Sequence, residues 1–560
     1  MSEFIKSFKK RDIITFVITL LDCIFYYSMR PLWSGLGKVL NTQVVPIVFF
    51  IIMIIELASV ITLMALKKKG FYMWILFGLS IFWVIAFIII FKYGGSDYFW
   101  FVMRNFGYAL LIFLVLFIFF YLIFFYPKSK AKDSKLLKIL VFSVPSVLLI
   151  FVLMGFRFNS FTYKPVVYAV EDNYQIVFTT RNNSTVSVKI GDNYYYDTYA
   201  GSSDTETYVH KVVVPMSDLD SKKEYTVYAK SMFYRGPFGA WQGKEISLNY
   251  TFYPVDSSDG LNYFSLSDVH GAVDAATDAG SYYGDKLDFI VLAGDLVSYV
   301  NNATDANIAN KLAYNITKGS HPVVYARGNH ETKEESSASL YKYVGSTVEG
   351  NFYYWFKLEN VFGIVLDIGE DHEDDWWEYY NTSHFEDYRN DQIEFLNNLD
   401  PSLYSSSTYR MCISHIPLVH INARDNFHDF KVTVTGILNT LSIDIHICGH
   451  QHQFISFIPG TVTPLTKLKT KSSYVGDSLT GMFTDFNFFS MMVGKRSNTQ
   501  AKDAQKFIRS EYGGMATTVD FNAKTETCTY INRKGEIILV DNPFVEGESK
   551  SSIVYNLKNC

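Results

Sequence analysis

Cysteine is scarce in this sequence, with five residues in a chain of 560. Small scaffolds held together by disulfides are far richer in cysteine, so this class of protein is excluded. Cys412 and Cys448 lie inside apolar runs and are expected to be inert core thiols. Cys528 and Cys560 could pair in an oxidising compartment, or Cys560 could be free, and the sequence leaves both open.

The sequence also lacks an excess of positive charge, since its formal net charge is −5. Residues 1–156 carry 16 Lys+Arg against 6 Asp+Glu, which leaves 34 against 49 for residues 157–560. A surface as acidic as that of the second part repels a polyanion, which argues against nucleic acid as a partner.

Long apolar runs fill the first part of the chain, which is dominated by Phe, Ile, Leu, Val and Tyr. A helix that spans a bilayer needs about 20 predominantly apolar residues, and four of five runs reach that length. The runs cover residues 13–28, 44–66, 71–91, 105–126 and 136–156. The sequence therefore predicts a five-helix transmembrane region over residues 1–156, with the lipid bilayer as a partner.

The flanking Lys and Arg residues predict the orientation of these helices. Twelve lie at the amino terminus and in the loops after the second and fourth runs, against four in the alternate loops. The excess marks the cytoplasmic side. We therefore expect an integral, multi-pass membrane protein with a cytoplasmic amino terminus and everything after the fifth helix extracellular or in an organelle lumen.

Short strands separated by turns are the next pattern along the chain, from Tyr163 to about Tyr253. The strand-like runs are Gln175–Thr180, Thr185–Ile190, Val209–Val214, Glu224–Lys230 and Glu245–Phe252. Alternating β-branched and aromatic residues at this spacing predict a β-sandwich of about 90 residues.

After Pro254 apolar strand-like runs alternate with longer helical stretches, which is typical of an α/β fold. Every strand-like run except Phe362–Leu366 is followed by residues that can bind a metal. They are Asp268 and His270 after Tyr263–Leu266, Asp295 after Phe289–Ala293, Asn329 and His330 after Val323–Ala326, His415 after Tyr409–Ile413, and His450 and His452 after Ile443–Cys448. Because α/β sheets bind ligands at the carboxyl ends of their strands, this order predicts one common site.

This order of clusters resembles the calcineurin-like metallophosphoesterase superfamily over about residues 255–540. With the β-sandwich ahead of it, the chain resembles the purple-acid-phosphatase branch, which carries a fibronectin-like domain before its catalytic domain. The expected fold class is thus a multi-domain membrane protein with an all-α transmembrane region at 1–156, an all-β fibronectin-like sandwich at 157–253 and a four-layer (α/β/β/α) α/β metallophosphoesterase domain at 254–541. A C-terminal tail at 542–560 completes the expected domains.

Carried onto this sequence, the resemblance implies a pair of metal ions, Mn, Fe or Zn, bridged by Asp295. One metal would be bound by Asp268, His270, Asp295 and His452, and the other by Asp295, Asn329, His415 and His450. The implied reaction is hydrolysis of a phosphate ester by a hydroxide held between the two cations. His330 would be the general acid, or else a residue that only fixes its loop. Arg327 could bind the phosphate as a two-pronged donor, or could form a surface salt bridge.

The sequence departs from the purple-acid-phosphatase pattern at the position of its tyrosine ligand. That branch has a tyrosine three residues after the bridging aspartate, whereas this chain has Ser298 there and Tyr299 one place later. It also has His270 where the branch typically lacks a histidine. Both differences favour a colourless Mn, Fe(II) or Zn pair over a tyrosinate-bound ferric centre.

The leading prediction is a membrane-anchored, metal-dependent phosphoesterase with its active site on the non-cytoplasmic side. The alternatives are a non-catalytic membrane receptor or scaffold with a phosphatase-like ectodomain, and a phosphodiesterase rather than a phosphomonoesterase. An acidic, aromatic segment between Asp367 and Asp391 is either a loop beside the metals or a solvated insertion. His420, His428 and His446 match no ligand position and are expected to be structural.

Overall fold

The computed structural model describes residues 159–236, 239–379, 381–422, 427–462, 468–471, 478–494, 512–541 and 549–559. All of them fall in one compact unit, Phe156–Cys560. The five predicted transmembrane helices lie outside the described residues.

Among the described residues, no helix is both long enough and apolar enough to cross a membrane. The two longest helices there, Phe385–Asn397 and His428–Thr440, have 13 residues each and are therefore about 20 Å long. This finding, which covers the described residues only, does not support the predicted five-helix transmembrane region or the predicted integral, multi-pass membrane protein, and neither is kept. An apolar run of about 20 residues is required of a spanning helix, but the run alone does not establish that a helix forms.

The first described stretch is mainly β-structure with one short helix. Its elements are β1 (Phe161–Val170), β2 (Asn173–Thr180), β3 (Ser184–Ile190), β4 (Asn193–Tyr196), β5 (Thr198–Tyr199), β6 (Ser202–Ser203), β7 (Val209–Pro215), α1 (Met216–Lys222), β8 (Glu224–Gly236) and β9 (Gly239–Thr251).

Strands and helices alternate from residue 261 onward. The elements are β10 (Leu261–Leu266), α2 (Val273–Gly280), β11 (Phe289–Ala293), α3 (Ala303–Ala306), α4 (Ile308–Thr317), β12 (Pro322–Ala326), β13 (Tyr354–Leu358), β14 (Val361–Leu366), α5 (Phe385–Asn397), β15 (Tyr409–Ser414), β16 (His420–Asn422), α6 (His428–Thr440) and β17 (Ile445–Cys448). The remaining strands are β18 (Ile455–Phe457), β19 (Leu468–Lys471), β20 (Ser478–Phe483), β21 (Phe489–Met492), β22 (Gly513–Asp520), β23 (Thr525–Asn532), β24 (Val540–Asp541), β25 (Ser549–Lys550) and β26 (Ser552–Asn556).

Two large sheets dominate this fold. Sheet 1 has nine strands in the order β26-β23-β22-β10-β11-β12-β1-β2-β7, and sheet 2 has six in the order β13-β14-β15-β17-β21-β18. Strands β10, β11, β12 and β1 of sheet 1 are parallel, as are β14, β15, β17 and β21 of sheet 2. Within each parallel set, the carboxyl ends of the strands therefore meet at one edge of the sheet.

The core has three parts, because side chains of each central strand alternate between its two faces. In β11, Val291 belongs to the cluster between the sheets, whereas Ile290 and Leu292 pack with the residues of α2 and α4. In β15, Met411 and Ile413 likewise face the inter-sheet cluster. The opposite face of sheet 2 packs against α5 and α6. The order of layers is α/β/β/α, and sheets covered on both faces account for the nearly continuous apolar runs of their strands.

The helices that cover the sheets show the helical spacing of buried residues. In α4 the buried apolar residues Ala309, Leu312 and Ala313 follow the i, i+3, i+4 pattern of one helix face. In α6 the buried Val434 and Leu438 are one turn apart. These faces match the predicted alternation of helices and strands after Pro254.

The predicted fibronectin-like sandwich at 157–253 stays a prediction as a domain of its own, and its strands lie in two sheets. Three of its strands, β1, β2 and β7, extend sheet 1 beyond β12, and β1 runs parallel to β12 with Val167 opposite Pro322. Strands β3, β4, β8 and β9 form a four-stranded sheet of their own in the order β4-β3-β8-β9. The predicted C-terminal tail also contributes to sheet 1, since β26 pairs with β23. Alternation predicts a strand but does not predict which strand it pairs with.

A buried polar network connects the two sheets. The Tyr263 hydroxyl on β10 donates to Glu526 Oε1 on β23 at 3.1 Å and lies 2.8 Å from the Tyr409 hydroxyl on β15. Glu526 is fully buried. Burial raises the pKa of Glu526 from its ordinary 4.5 to about 7, although hydrogen bonds from the two tyrosines oppose the shift.

The raised pKa of Glu526 predicts a loss of stability as the pH rises. Between pH 4.5 and about 7 the folded protein keeps this proton and the unfolded chain loses it, so the free energy of unfolding falls across that window. Glu526→Gln cannot ionise, and its unfolding free energy relative to wild type should therefore grow by about 3 kcal/mol from pH 5 to pH 8. Chemical unfolding of both proteins across this range, with the exposed Glu349→Gln as control, tests the prediction; parallel curves for Glu526→Gln and wild type would contradict it.

Candidate metal centre

The loops that follow five central strands meet at one place, and backbone hydrogen bonds connect them. The Asp268 N–H donates to Gly294 O at 3.1 Å, and the His270 N–H donates to Asp295 O at 2.9 Å. Across the two sheets, the His450 N–H donates to Asp268 Oδ1 at 3.0 Å. The carboxyl ends of β10 and β11 are therefore joined to the loop that follows β17.

The first group of side chains lies on the side of β10. Asp268, His270, Asp295 and His452 each offer a ligand atom, and these atoms lie within 4.8 Å of one another. His452 Nε2 is 3.4 Å from Asp268 Oδ1, and His270 Nε2 is 3.7 Å from Asp295 Oδ2. All four residues are buried.

The second group shares Asp295 with the first. Asp295, His415 and His450 also offer ligand atoms within 4.8 Å of one another. His415 Nε2 lies 3.1 Å from Asp295 Oδ2, and Asn329 Oδ1 lies 3.2 Å from His450 Nδ1. The structure thus brings all seven predicted ligands together in two adjacent groups.

The backbone of this site is unusual, because five of the seven residues adopt positive φ. Their values are 54° for Asp268, 46° for His270, 54° for Asp295, 76° for His450 and 53° for His452. The left-handed region costs a non-glycine residue about 1–2 kcal/mol, and such residues cluster at functional sites. The tight turns aim consecutive polar side chains at the same small volume.

Two glycines allow the close approach of these loops. Gly294 has a φ of +84°, and a Cβ there would lie 2.7 Å from the His415 ring. At Gly328 a Cβ would lie 2.2 Å from the backbone nitrogen of Asp295. A side chain at either position would push apart the loops that bring Asp295, His415 and Asn329 together.

The buried carboxylates dominate the electrostatics of the site. Burial raises the pKa of Asp268 to about 8, with Asp295 adding to the shift and His415 opposing it. Burial acts on Asp295 in the same direction, but His415 and His330 outweigh it and hold the pKa of Asp295 well below its ordinary value. Burial disfavours the charged form of His415, yet Asp295 raises the pKa of His415 to about 10. The imidazolium of His415 thus balances part of the negative charge of the buried carboxylates, a role that bound cations would also fill.

The ligand atoms fit a pair of cations. His415 Nε2 is buried and makes no hydrogen bond, although it lies 3.1 Å from the Asp295 carboxylate. Nε2 of His270 and Nε2 of His452 lie 3.1 Å apart beside two carboxylates. Imidazole nitrogens and carboxylate oxygens that converge in this way have the arrangement of metal ligands. Carboxylate and imidazole ligation without thiolate suits Mn, Fe or Zn and does not distinguish between them.

The amino-acid sequence of this region matches a known family. Residues 264–454, about a third of the chain, match the calcineurin-like phosphoesterases, and all seven ligand candidates lie inside this range. This region is a calcineurin-like metallophosphoesterase domain. No curated protein matches the sequence.

Several solved structures are similar to the chain at low sequence identity. The purple acid phosphatase PPD1 from yellow lupin (Lupinus luteus) seeds is 14% identical with a TM-score of 0.44, covering 71% of this chain and 74% of that one. PhoD is 13% identical with a TM-score of 0.40, covering 71% of this chain and 92% of its own. GAP50, the anchor in the inner membrane complex of Plasmodium, is 13% identical with a TM-score of 0.33, covering 54% and 90%.

His330 lies beside both groups of the metallophosphoesterase domain without belonging to either. Its Nδ1 is 2.8 Å from the Ser298 carbonyl, which can only accept, so Nδ1 carries a proton and Nε2 is left for the site. His330 Nε2 is 3.9 Å from Asp295 Oδ2. The side chain is 24% exposed, whereas that of Asp295 is 2% exposed, so His330 is the imidazole that a substrate can reach.

The predicted phosphate ligand Arg327 is engaged elsewhere. Its Nη2 lies 2.7 Å from Asp367 Oδ2, and the Asp367 side chain is fully buried. The guanidinium also lies over the ring of Phe352 at 4.6 Å. The salt-bridge alternative therefore describes Arg327, although the ion pair is buried and not on the surface.

Ser298 stands where the purple-acid-phosphatase pattern has its tyrosine. Its hydroxyl lies 3.3 Å from Nδ1 of His270, while its carbonyl accepts from His330. Burial raises the pKa of the neighbouring Tyr299 to about 12, which disfavours a phenolate. The expectation of a centre without a tyrosinate ligand stays a prediction.

Glu331 is a buried residue whose role the sequence did not predict. Its carboxylate accepts hydrogen bonds from the backbone N–H groups of Asp295, Leu296, Val297 and Gly328, at 2.9, 2.6, 3.3 and 2.9 Å. It thereby joins the loops that carry Asp295 and Asn329. An acid three residues after Gly328 was the available signal, but three of the four contacts join residues more than 30 apart in the chain.

The acidic segment, defined as Gly369–Trp377, lies beside the metal centre. Asp371 Oδ2 is 3.6 Å from Nε2 of the ligand candidate His450. His372 stacks on Trp376 at 4.3 Å, and Trp377 is 56% exposed. Of the two interpretations of this segment, its position favours a loop next to the metals.

The three histidines predicted to be structural lie outside both groups of ligand candidates. His446 is fully buried, with Ser414 Oγ at 3.0 Å and Ser490 Oγ at 2.9 Å from its ring nitrogens. Burial lowers the pKa of His446 to about 3, so it is neutral. Cys412, Cys448 and Cys528 are buried free thiols, and Cys560 lies outside the described residues.

Proposed function

We propose that this protein is a two-metal phosphoesterase that hydrolyses phosphate esters. The observation that carries the proposal is the carboxylate of Asp295, which belongs to both groups of ligand candidates. A carboxylate has two oxygens and can bind two cations at once, which is the arrangement of two-metal hydrolases. The calcineurin-like domain supports the same reaction class.

The residues of the chain would hold and orient the reacting groups. When bound, the two cations would polarise the phosphoryl group and lower the pKa of the attacking water. Asp268, His270 and His452 are nearly inaccessible to water, so they are prepared to bind a cation and not to exchange protons with solvent. His330 keeps Nδ1–H on the Ser298 carbonyl, so as an imidazolium it would donate its Nε2 proton to the departing alkoxide and become neutral.

A non-catalytic receptor or scaffold is the competing interpretation. Loss of catalysis removes the selection that keeps a costly site intact, so it predicts missing ligands. All seven ligand candidates are present, and five of them keep strained backbone angles. The acidic charge of residues 157–560 argues against nucleic acid as the substrate.

The test is metal-dependent hydrolysis by the full-length chain. The protein is stripped with a chelator, supplied with Mn(II), Fe(II) or Zn(II), and assayed with p-nitrophenyl phosphate and with bis(p-nitrophenyl) phosphate. We expect hydrolysis with at least one metal and none after stripping. Hydrolysis of the diester alone would identify a phosphodiesterase. If neither ester is cleaved with any of the metals, the enzyme hypothesis fails and the receptor hypothesis takes its place.

A further inference from the structure

Two consecutive acids of the acidic segment contact residues of the second group of ligand candidates. Glu370 and Asp371 follow β14, the one strand that the sequence left without metal-binding residues. Glu370 contacts Asn329, and Asp371 contacts His450. Asn329 and His450, together with His415, are the ligand candidates that belong to the second group alone.

Glu370 fixes the orientation of the Asn329 amide. Asn329 Nδ2 donates to Glu370 Oε2 at 3.4 Å, and because a carboxylate only accepts, the amide oxygen must point the other way. Asn329 Oδ1 indeed lies 3.2 Å from His450 Nδ1. Glu370 is itself held in place, since its carboxylate accepts from the Thr332 hydroxyl at 2.8 Å and from the Tyr379 hydroxyl at 3.2 Å.

Asp371 plays the same part for the imidazole of His450. Nδ1 of His450 faces Asn329 within the second group, and Nε2 faces Asp371 Oδ2 at 3.6 Å on the opposite side of the ring. A carboxylate on the outer nitrogen of a ligand imidazole fixes the tautomer, since the proton lies on the side of the carboxylate. With a cation between His450 Nδ1 and Asn329 Oδ1 in place of a ring proton, the proton of the neutral imidazole would lie on Nε2, and Nδ1 would keep its lone pair for the cation.

We propose that Glu370 and Asp371 are positioning residues for the second metal, an inference that rests on the proposed two-metal function. Neither acid would touch the metal. One orients an amide oxygen and the other orients an imidazole nitrogen, so that both present lone pairs to the same cation. Partners of this kind typically contribute a factor of 10 to 100 in metal affinity. The contacts of the two acids with ligand candidates are to Asn329 and His450, which belong to the second group.

The test is a Mn(II) titration of the chelator-treated full-length protein, followed by electron paramagnetic resonance. An isolated bound Mn(II) and a spin-coupled pair give different spectra, so filling of the first and second sites is followed separately from activity. In Asp371→Asn and Glu370→Gln we expect the first ion to bind as in wild type and the second about 10 to 100 times more weakly. The coupled spectrum should return at high Mn(II). Asp375→Asn and Glu373→Gln, exposed acids of the same segment, are the matched controls and should behave as wild type.

The outcomes separate this inference from the proposed function. If wild type binds no pair of ions, the proposed function fails and the inference fails with it. If wild type binds the pair and both variants match it, only the inference is overturned. The inference is also overturned if a folded variant loses both ions equally. Asp371 is 29% exposed, so Asp371→Asn should fold even where the buried Glu370→Gln does not, and its titration alone decides.

Discussion

Replacing Asp295 with asparagine is expected to abolish the second metal and to lower phosphatase activity by at least about 10³-fold. Asp295 Oδ2 lies 3.1 Å from His415 Nε2 and 3.7 Å from His270 Nε2, so the same oxygen faces both groups. An asparagine that accepts the His330 N–H with its amide oxygen places its NH₂ group at the position of Oδ2, and this group carries no lone pair for a cation. Removal of one preorganised electrostatic contact to a reacting group costs about 10²–10³-fold, and this change also removes the shared ligand of two cations.

The measurements are metal content by elemental analysis and steady-state hydrolysis of p-nitrophenyl phosphate at saturating metal. The fold should survive the substitution, because Asp295 Oδ1 accepts the backbone N–H of His330 at 2.9 Å and an amide oxygen can do the same. Asp274→Asn changes an exposed aspartate at the start of α2 and is the matched control. An Asp295→Asn protein that kept two metals and normal activity would show that this carboxylate is not the bridge.

The strands of the fold could be read from the sequence, but their assembly could not. The predicted run Gln175–Thr180 lies inside β2, and Thr185–Ile190 lies inside β3, because alternation is a property of neighbouring residues. The assignment of β2 to sheet 1 depends on β1, which pairs with β12 through Val167 and Pro322, 155 positions apart. No local pattern carries that pairing, so the continuation of sheet 1 from β12 into β1, β2 and β7 was not predicted.

The candidate site was more predictable than the fold around it. Asp268, Asp295 and His415 each follow a buried strand directly, and parallel strands bring their carboxyl ends to one edge. The position of each ligand candidate is therefore tied to a strand that the apolar pattern reveals. The left-handed backbone of Asp268 and Asp295 was not visible, because the sequence places no glycine at these positions.

The residues that support the ligand candidates were not predictable, because no pattern in the sequence marks their positions. Glu331, Glu370 and Asp371 are carboxylates whose partners lie far away in the chain, and acidic residues are common on solvated surfaces. Arg327 shows the same limit. Its position next to Gly328 suggested that it binds phosphate, whereas in the structure its guanidinium pairs with Asp367. The ligand candidates can be recognised in the sequence, because their residue types follow the strands in a characteristic order. The residues that orient the ligand candidates can be recognised only from their contacts in the structure.

His330→Gln is expected to lower kcat for an alkyl phosphate by about 10² to 10⁴-fold while both metals stay bound. His330 belongs to neither group of ligand candidates, so its loss removes a proton donor and leaves the cations in place. His428→Gln, a change of a 48% exposed histidine outside the site, is the matched control. Metal content equal to that of wild type, together with the loss in kcat, would separate a role in proton transfer from a role in metal binding.

The leaving group distinguishes a general acid from a residue that only fixes its loop. A phenolate with strong electron-withdrawing groups departs without a proton, whereas an alkoxide needs one in the transition state. The loss caused by His330→Gln should therefore be small for p-nitrophenyl phosphate and much larger for an alkyl phosphate, so that the dependence of kcat on leaving-group pKa becomes steeper in the variant. A residue that only positions its loop, through the bond from Nδ1 to the Ser298 carbonyl, would slow all esters by the same factor. Equal losses across a series of leaving groups would remove His330 from the chemistry and leave the metal centre to act without this donor.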